Sequence, residues 1–286
     1  DRFFATLSFS FADVYIGRQV ISWGSSYVIN PTDIISPFNF NEIDKEEKSG
    51  VDAVRARIPL GTMNELDAGY VFGDPGGSDG SAFFLRGKFN ILRSDISLMI
   101  LGFRRNLLLG FDLSGSLGGA GVRLEAAYIF DKAMDSGYPE ELQKDYYRIS
   151  LGADYNFSDS LYAYIEYHLN SPGGGEADDY AGLSVTNPYT EGSVYLMGKH
   201  YLSAGMTWQL HPLLPVNGFV IYNITDGSVI FSPSAEYNIK EDIYLSLGAF
   251  FGMGKGVVIS ETGTLGMRSE FGTYPQMIYT SFRIYF

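Results

Sequence analysis

The chain has no cysteine, which removes disulfide frameworks, thiolate metal sites and thiol nucleophiles together. No uninterrupted apolar run approaches the roughly 20 residues that a membrane-crossing helix requires, so a helical bundle in lipid is excluded. Basic residues are the minority, 20 lysines and arginines against 33 aspartates and glutamates. The net charge of −13 argues against nucleic acid as a partner, since phosphate binding wants a basic surface. An initiator methionine and a signal peptide are also missing, and Asp1 is expected to be the start of a mature or trimmed chain.

What the 286 residues do have is 45% hydrophobic side chains, 15% aromatics and 34 glycines, a mixture that suits neither a helical membrane protein nor a disordered chain. The apolar residues recur with a period of two. Ile278, Thr280, Phe282, Ile284 and Phe286 share one face, and Tyr279, Ser281, Arg283 and Tyr285 share the other. The same alternation runs through 243–251, 202–210 and 147–157. Similar segments occupy roughly 3–11, 13–23, 51–60, 65–73, 81–90, 95–104, 107–116, 121–130, 161–169, 216–224 and 228–238. About fifteen strands are expected.

Aromatics sit near strand ends on the oily face: Tyr147, Tyr155, Phe157, Trp208, Phe282 and Phe286. That placement fits girdles at two membrane interfaces better than a sandwich core, whose other face would not bear unpaired Arg, Asp and Glu. Connections alternate in length. Short ones are expected at 61–64, 90–94, 117–121, 158–160, 211–215 and 240–242. Long ones are expected at 24–50, 73–80, 131–144, 171–199 and 253–275, with tight hairpins at 104–106 and 225–227. The sequence therefore predicts an all-β fold, a transmembrane antiparallel up-and-down β-barrel of about 16 strands, forming one domain over 1–286. Because such barrels close with even strand numbers, a strand before Asp1 is expected.

The terminal Ser281-Phe282-Arg283-Ile284-Tyr285-Phe286 resembles the aromatic-ended signature of outer-membrane proteins, which implies recognition by the barrel-assembly machinery. The run Gly17-Arg18-Gln19, with Trp23-Gly24 and Asn30-Pro31-Thr32-Asp33, is similar to a porin-like family of Gram-negative proteins in which Gly-Arg-Gln, Trp-Gly and Asn-Pro-x-Asp lie on a strand and its following loop. That resemblance implies an outer-membrane location and a loop able to fold inward and narrow a pore. An outward surface loop is the other expectation for 25–50. Alternation fails at Arg18-Gln19, so a bulge or the barrel rim is expected there.

Alternation assigns Arg55, Arg57, Arg86, Lys88, Arg123, Arg148 and Arg283 to the lumen, together with Asp67, Asp112, Glu125, Asp154, Glu166 and Glu236. Arg123 and Glu125 are expected to pair across strands with Asp112 and Arg148. Arg55, Arg57, Arg86 and Lys88 have few acids in their sector, so they are expected to form a positive stripe that favours anions. Surplus acid falls in loops: Glu42, Asp44, Glu46, Glu47, Asp74, Asp79, Asp131, Asp135, Glu140, Glu141, Glu176, Asp178 and Asp179. Solvated charge explains it, with cation bridges to lipopolysaccharide a further expectation. Metal-ligand spacing is lacking, and no cofactor motif is found, since no strand–helix unit follows Gly118-Gly119 or Gly173–Gly175.

His168 shares the lumen face with Glu166 and Tyr164, but no nucleophile accompanies it, so a hydrogen-bonding role is expected rather than catalysis. His200 and His211 read as interface and turn residues. The functional expectation is a non-enzymatic porin-like channel for passive diffusion of small polar or anionic solutes. Its rival is a structural sleeve whose lumen holds a periplasmic or lumen-bound protein partner.

Overall fold

Alternating segments become strands because period two lets one row meet an apolar medium while the next stays polar. The computed structural model describes residues 2–36, 50–73, 80–259 and 265–285. Their strands are β1 (Phe3–Ser8), β2 (Asp13–Gln19), β3 (Val51–Pro59), β4 (Glu65–Val71), β5 (Ala82–Ile91), β6 (Ser94–Phe103), β7 (Asn106–Leu117) and β8 (Ala120–Phe130). They continue with β9 (Tyr146–Ser158), β10 (Leu161–Asn170), β11 (His200–His211), β12 (Leu214–Asn223), β13 (Val229–Lys240), β14 (Ile243–Met253), β15 (Val257–Ile259), β16 (Leu265–Met267) and β17 (Met277–Ile284). One 15-stranded sheet follows chain order from β1 to β14 and ends on β17, so it is the up-and-down antiparallel sheet that the alternation predicts. β15 and β16 form a separate two-stranded hairpin inside what the sequence marks only as a long connection.

Two compact units divide the chain: Asp1–Ser116 with Val122–Leu151, and Leu117–Gly121 with Gly152–Phe286. In each, the oily rows are exposed. Leu98 is 56% and Leu151 55% exposed in the first unit, and Leu247 is 58% and Ile278 72% exposed in the second. Side chains of this size are worth about 1.5–3 kcal/mol each when withdrawn from water, so rows of them require hydrocarbon as their medium. Tyr147, Tyr155, Phe157, Trp208 and Phe282 are all exposed on this face, as the girdle expectation requires. Phe286 lies outside the described residues. Replacing Leu247 by arginine should cost about 2–4 kcal/mol in urea titrations of the barrel folded into lipid vesicles. An unchanged midpoint would show that this face does not meet lipid.

Short turns close the hairpins with left-handed backbone. Gly118 and Gly119 adopt φ of 59° and 88°, while Leu92 and Arg93 reach 53° and 65° without the help of glycine. These values match the turn type whose twist agrees with the strands. On the lumen face of β11 and β14, Gly205 and Gly248 lie beneath the rings of Tyr164 and Tyr279, their register partners, where any side chain would collide.

The break in alternation at Arg18-Gln19 is the rim, since β2 keeps constant register with β1 and β3 and stops at Gln19. Arg18 turns outward and pairs with Asp52 at 2.9 Å, with both side chains about half exposed. Gln19 turns inward, is buried, and its amide donates to the Ala53 carbonyl at 3.2 Å.

Candidate functional site

In the first unit the lumen face of β3 to β7 carries the charged ladder. Arg55 donates to Asp67 through two nitrogens at 2.8 and 2.6 Å, Arg57 pairs with Glu65 at 2.5 Å, and Lys88 pairs with Asp95 at 2.7 Å. Arg86 stands opposite Asp67 in register yet donates to the Ser97 hydroxyl at 2.8 Å. The expectation of a sector poor in acids is thus overturned for three of the four cations. Glu65, which β4 sets opposite Lys88, and Asp95, which β6 sets opposite Asn90, supply carboxylates that counting alone did not place.

Across this ladder lies the chain that leaves β2. From Ile21 to Ser36 it runs over the lumen face, anchored by Ile21 and Ile29, both fully buried, and by Trp23, 7% exposed. The indole packs edge-on against Phe84 of β5 with centroids 4.7 Å apart, and its N–H donates to Asp67 at 3.2 Å. Asp67 therefore serves both Arg55 and Trp23. Farther on, Asp112 of β7 accepts from the Ser25 amide at 2.9 Å and its hydroxyl at 2.6 Å. Glu125 of β8, fully buried, accepts from the Ser26 amide at 3.2 Å and from the Thr32 amide and hydroxyl at 2.8 and 2.7 Å.

Cations complete the clamp. Arg123 donates to the Ser25 carbonyl at 2.6 Å and lies 4.0 Å over the Tyr27 ring, while the Ser150 hydroxyl of β9 donates to the Ile29 carbonyl at 2.7 Å. Arg148, beside it on β9, is 3% exposed. Arg123, Asp112 and Glu125, which the sequence sets in a cross-strand ladder with Arg148, all bond the segment, whose backbone N–H groups need acceptors once buried. Gly24 has φ of 101°, and a Cβ there would come within 2.7 Å of both Glu125 oxygens, so this turn requires glycine. Of the two expectations for 25–50, the inward one holds for residues 25–36; residues 37–49 lie outside those described, with Glu42, Asp44, Glu46 and Glu47 among them. Asp74 and Asp79 lie outside too.

In the second unit the lumen acids stand on β9, β10 and β13. Arg283 pairs with Glu236 and donates to the Ser246 hydroxyl at 3.3 Å, and Asp154 is half-buried beside Gly121. Glu166 and His168 are buried, the imidazole facing Tyr201 with ring centroids 6.3 Å apart.

A cluster that sequence reasoning missed holds the long connections of this unit. Glu270, 1% exposed, accepts from the Tyr201 hydroxyl at 2.5 Å, the Asn223 amide at 2.8 Å and the Met197 N–H at 3.0 Å. Asp226 accepts from the Tyr180 hydroxyl at 2.9 Å, the Asn223 side chain at 3.1 Å and the Glu270 N–H at 2.7 Å. Burial pushes the Glu270 carboxyl up to about 7, against the hydrogen bonds from Tyr201 and Met197, and the neighbouring Asp226 charge adds to the rise. Burial and Asp226 likewise raise the Tyr180 hydroxyl. The residues come from three connections and two strand ends, so no periodic signal marks the group. Asp178-Asp179 is turn structure, since Asp179 accepts from the Gly175 and Glu176 N–H groups at 2.8 and 3.2 Å.

No family model and no curated protein matches the sequence. Solved structures do. OccK10 (OpdN) of Pseudomonas aeruginosa superimposes with a TM-score of 0.63 at 9% identity, covering 98% of this chain and 81% of that one. The outer membrane protein OprD of Pseudomonas aeruginosa gives 0.60 at 11% identity over 99% and 76% of the two chains. OccAB1 of Acinetobacter baumannii gives 0.58 at 12% identity over 97% and 74%. At such identities the likeness is one of fold, and the fold is that of an outer-membrane β-barrel.

Proposed function

We propose that the chain is a bacterial outer-membrane channel, a single non-enzymatic barrel through which small polar or anionic solutes diffuse passively. The observation that carries this reading is the segment Ile21–Ser36 lying on the lumen face, held by Asp67, Asp112 and Glu125. A loop folded inward and fixed at several points sets a bore without closing it by chance motion, and its polar edge offers exchangeable hydrogen bonds to a passing solute. The likeness in fold to the outer membrane protein OprD supports the location in a bilayer with lipopolysaccharide and the need for barrel-assembly machinery.

Pore-lining roles then fall to Arg55, Arg57, Arg86, Lys88, Arg123, Asp154 and Arg283, while Asp112, Glu125, Arg148 and Glu166, expected on the same face, are buried and act from within the wall. Ion pairing tempers the anion preference that four free cations would give, and Arg86, bonded to a hydroxyl instead of a carboxylate, contributes most. Arg86→Gln should move the reversal potential in a salt gradient toward cations; no movement removes Arg86 from the conduction path. The wild-type barrel in a planar bilayer should give discrete ohmic steps. A folded barrel that never conducts would overturn the channel reading and favour the protein-filled sleeve.

A further inference from the structure

Aromatic rings gather at one level of the second unit's lumen face. Register sets Tyr164 opposite Gly205, Gly205 opposite Phe219 and Phe219 opposite Ser232, with Phe250 opposite Met277 farther round. In the adjoining row Tyr162 faces Thr207, Thr207 faces Asn217, Asn217 faces Ser234, and Tyr279 faces Gly248. The rings touch in series: Phe219 to Phe250 at 6.4 Å between centroids, Phe250 to Tyr279 stacked at 6.0 Å, and Tyr162 to Tyr164 at 6.4 Å.

Two features set these rows apart from the wall beside them. Toward the long connections, Glu166, Ser203, Ile221 and Ile230 are between 0% and 2% exposed, whereas Tyr162, Tyr164, Phe219 and Tyr279 keep partial exposure. Neither row contains a carboxylate or a cation. Its polar members are hydroxyls and an amide, with Thr207 donating to the Asn217 side-chain oxygen at 2.8 Å.

Packing over glycine accounts for Tyr164 and Tyr279 as strand-pairing devices, and Phe250, 7% exposed, is packed between Phe219 and Tyr279; Tyr162, by contrast, has Thr207 opposite it, and Phe219 has Ser232 on one side and on the other a Gly205 already covered by Tyr164. Rings bared on a polar wall cost free energy unless something flat and partly apolar covers them. An ion finds no counter-charge in these rows, and a plain hydrocarbon would leave the polar groups of Thr207, Asn217 and Ser234 without solvent or solute bonds. A ring-shaped polyol satisfies both, its C–H face on the aromatics and its hydroxyls exchanging bonds with the interleaved side chains.

We propose that the ledge of Tyr162, Tyr164, Phe219 and Tyr279, backed by the buried Phe250, is a binding track for neutral cyclic polyols, that is, mono- and disaccharides. As a solute track it rests on the reading of the lumen as a conduction path. The test uses the full chain, folded in detergent and checked by heat-modifiable gel mobility, with sucrose as the probe and saturation-transfer NMR as the readout. Irradiating the protein should transfer saturation to the sucrose ring C–H protons. Phe219→Leu with Tyr279→Leu, which keeps apolar volume but removes the flat faces, should weaken binding on the order of tenfold. Phe219→Tyr with Tyr279→Phe should retain it. Absence of transfer in the wild type, or equal binding in the leucine pair, overturns the track. Conductance is read separately: a barrel that binds sucrose without conducting loses the channel reading and keeps the track, and one that conducts without binding does the reverse.

Discussion

Replacing Glu125 by alanine should free the inward segment and widen the current path. Glu125 is fully buried and takes three hydrogen bonds from Ser26 and Thr32, so its loss strands buried donors that no water replaces. Each stranded group costs about 1–3 kcal/mol. The anchors Ile21 and Trp23 would still hold the start of the segment, while the Ser25–Thr32 turn, Ile29 included, would leave the wall. Single-channel conductance should therefore rise severalfold with noisier open states, and amide exchange at Ser26 and Thr32 should accelerate. Glu125→Gln keeps one acceptor oxygen and should fall between. Unchanged conductance together with fast exchange would show that the segment stands outside the conduction path.

The second large effect is on pH. Glu270 titrates near 7 in the folded chain, above the ordinary carboxyl value of about 4.5, because it is buried next to Asp226. Between these values the folded state holds a proton that the unfolded state has lost. Stability of the cluster is then greatest below about pH 4.5 and falls as pH rises through about 7. The ceiling is about 3 kcal/mol, since each pH unit between the two values is worth about 1.36 kcal/mol. Exchange at Met197, whose N–H donates to Glu270, corrected for intrinsic rate, should show tighter protection at pH 5.5 than at pH 8.5, and Glu270→Gln should erase the difference. Equal protection in the wild type at both values would dismiss Glu270 as a titrating latch.

Strand positions and facing were legible in the sequence because both follow from period two, a local property. Tyr147, Leu151 and Phe157 turn outward for the same reason that Arg148 and Ser150 turn inward. The partners of a lumen charge were less legible. Arg55 meets Gly69 in register but bonds Asp67 one step along the diagonal, and long side chains choose among several such neighbours. Non-local contacts left the least trace. Ser25 meets Asp112 across 87 positions and Thr32 meets Glu125 across 93, so the inward fold of that segment followed from the porin-like resemblance of the run and from no pattern of its own. Tyr180, Asp226 and Glu270 lie in connections, where no periodicity exists to read.

The absence of cysteine makes the deciding measurement simple. Val28 sits on the clamped segment, partly exposed, between the Ser26 and Ile29 anchor points. In Val28→Cys barrels conducting in a planar bilayer, a charged, membrane-impermeant thiol reagent should lower each conductance step in one discrete event. Complete labelling by mass spectrometry with no change in conductance would contradict a channel whose bore is set by Ile21–Ser36.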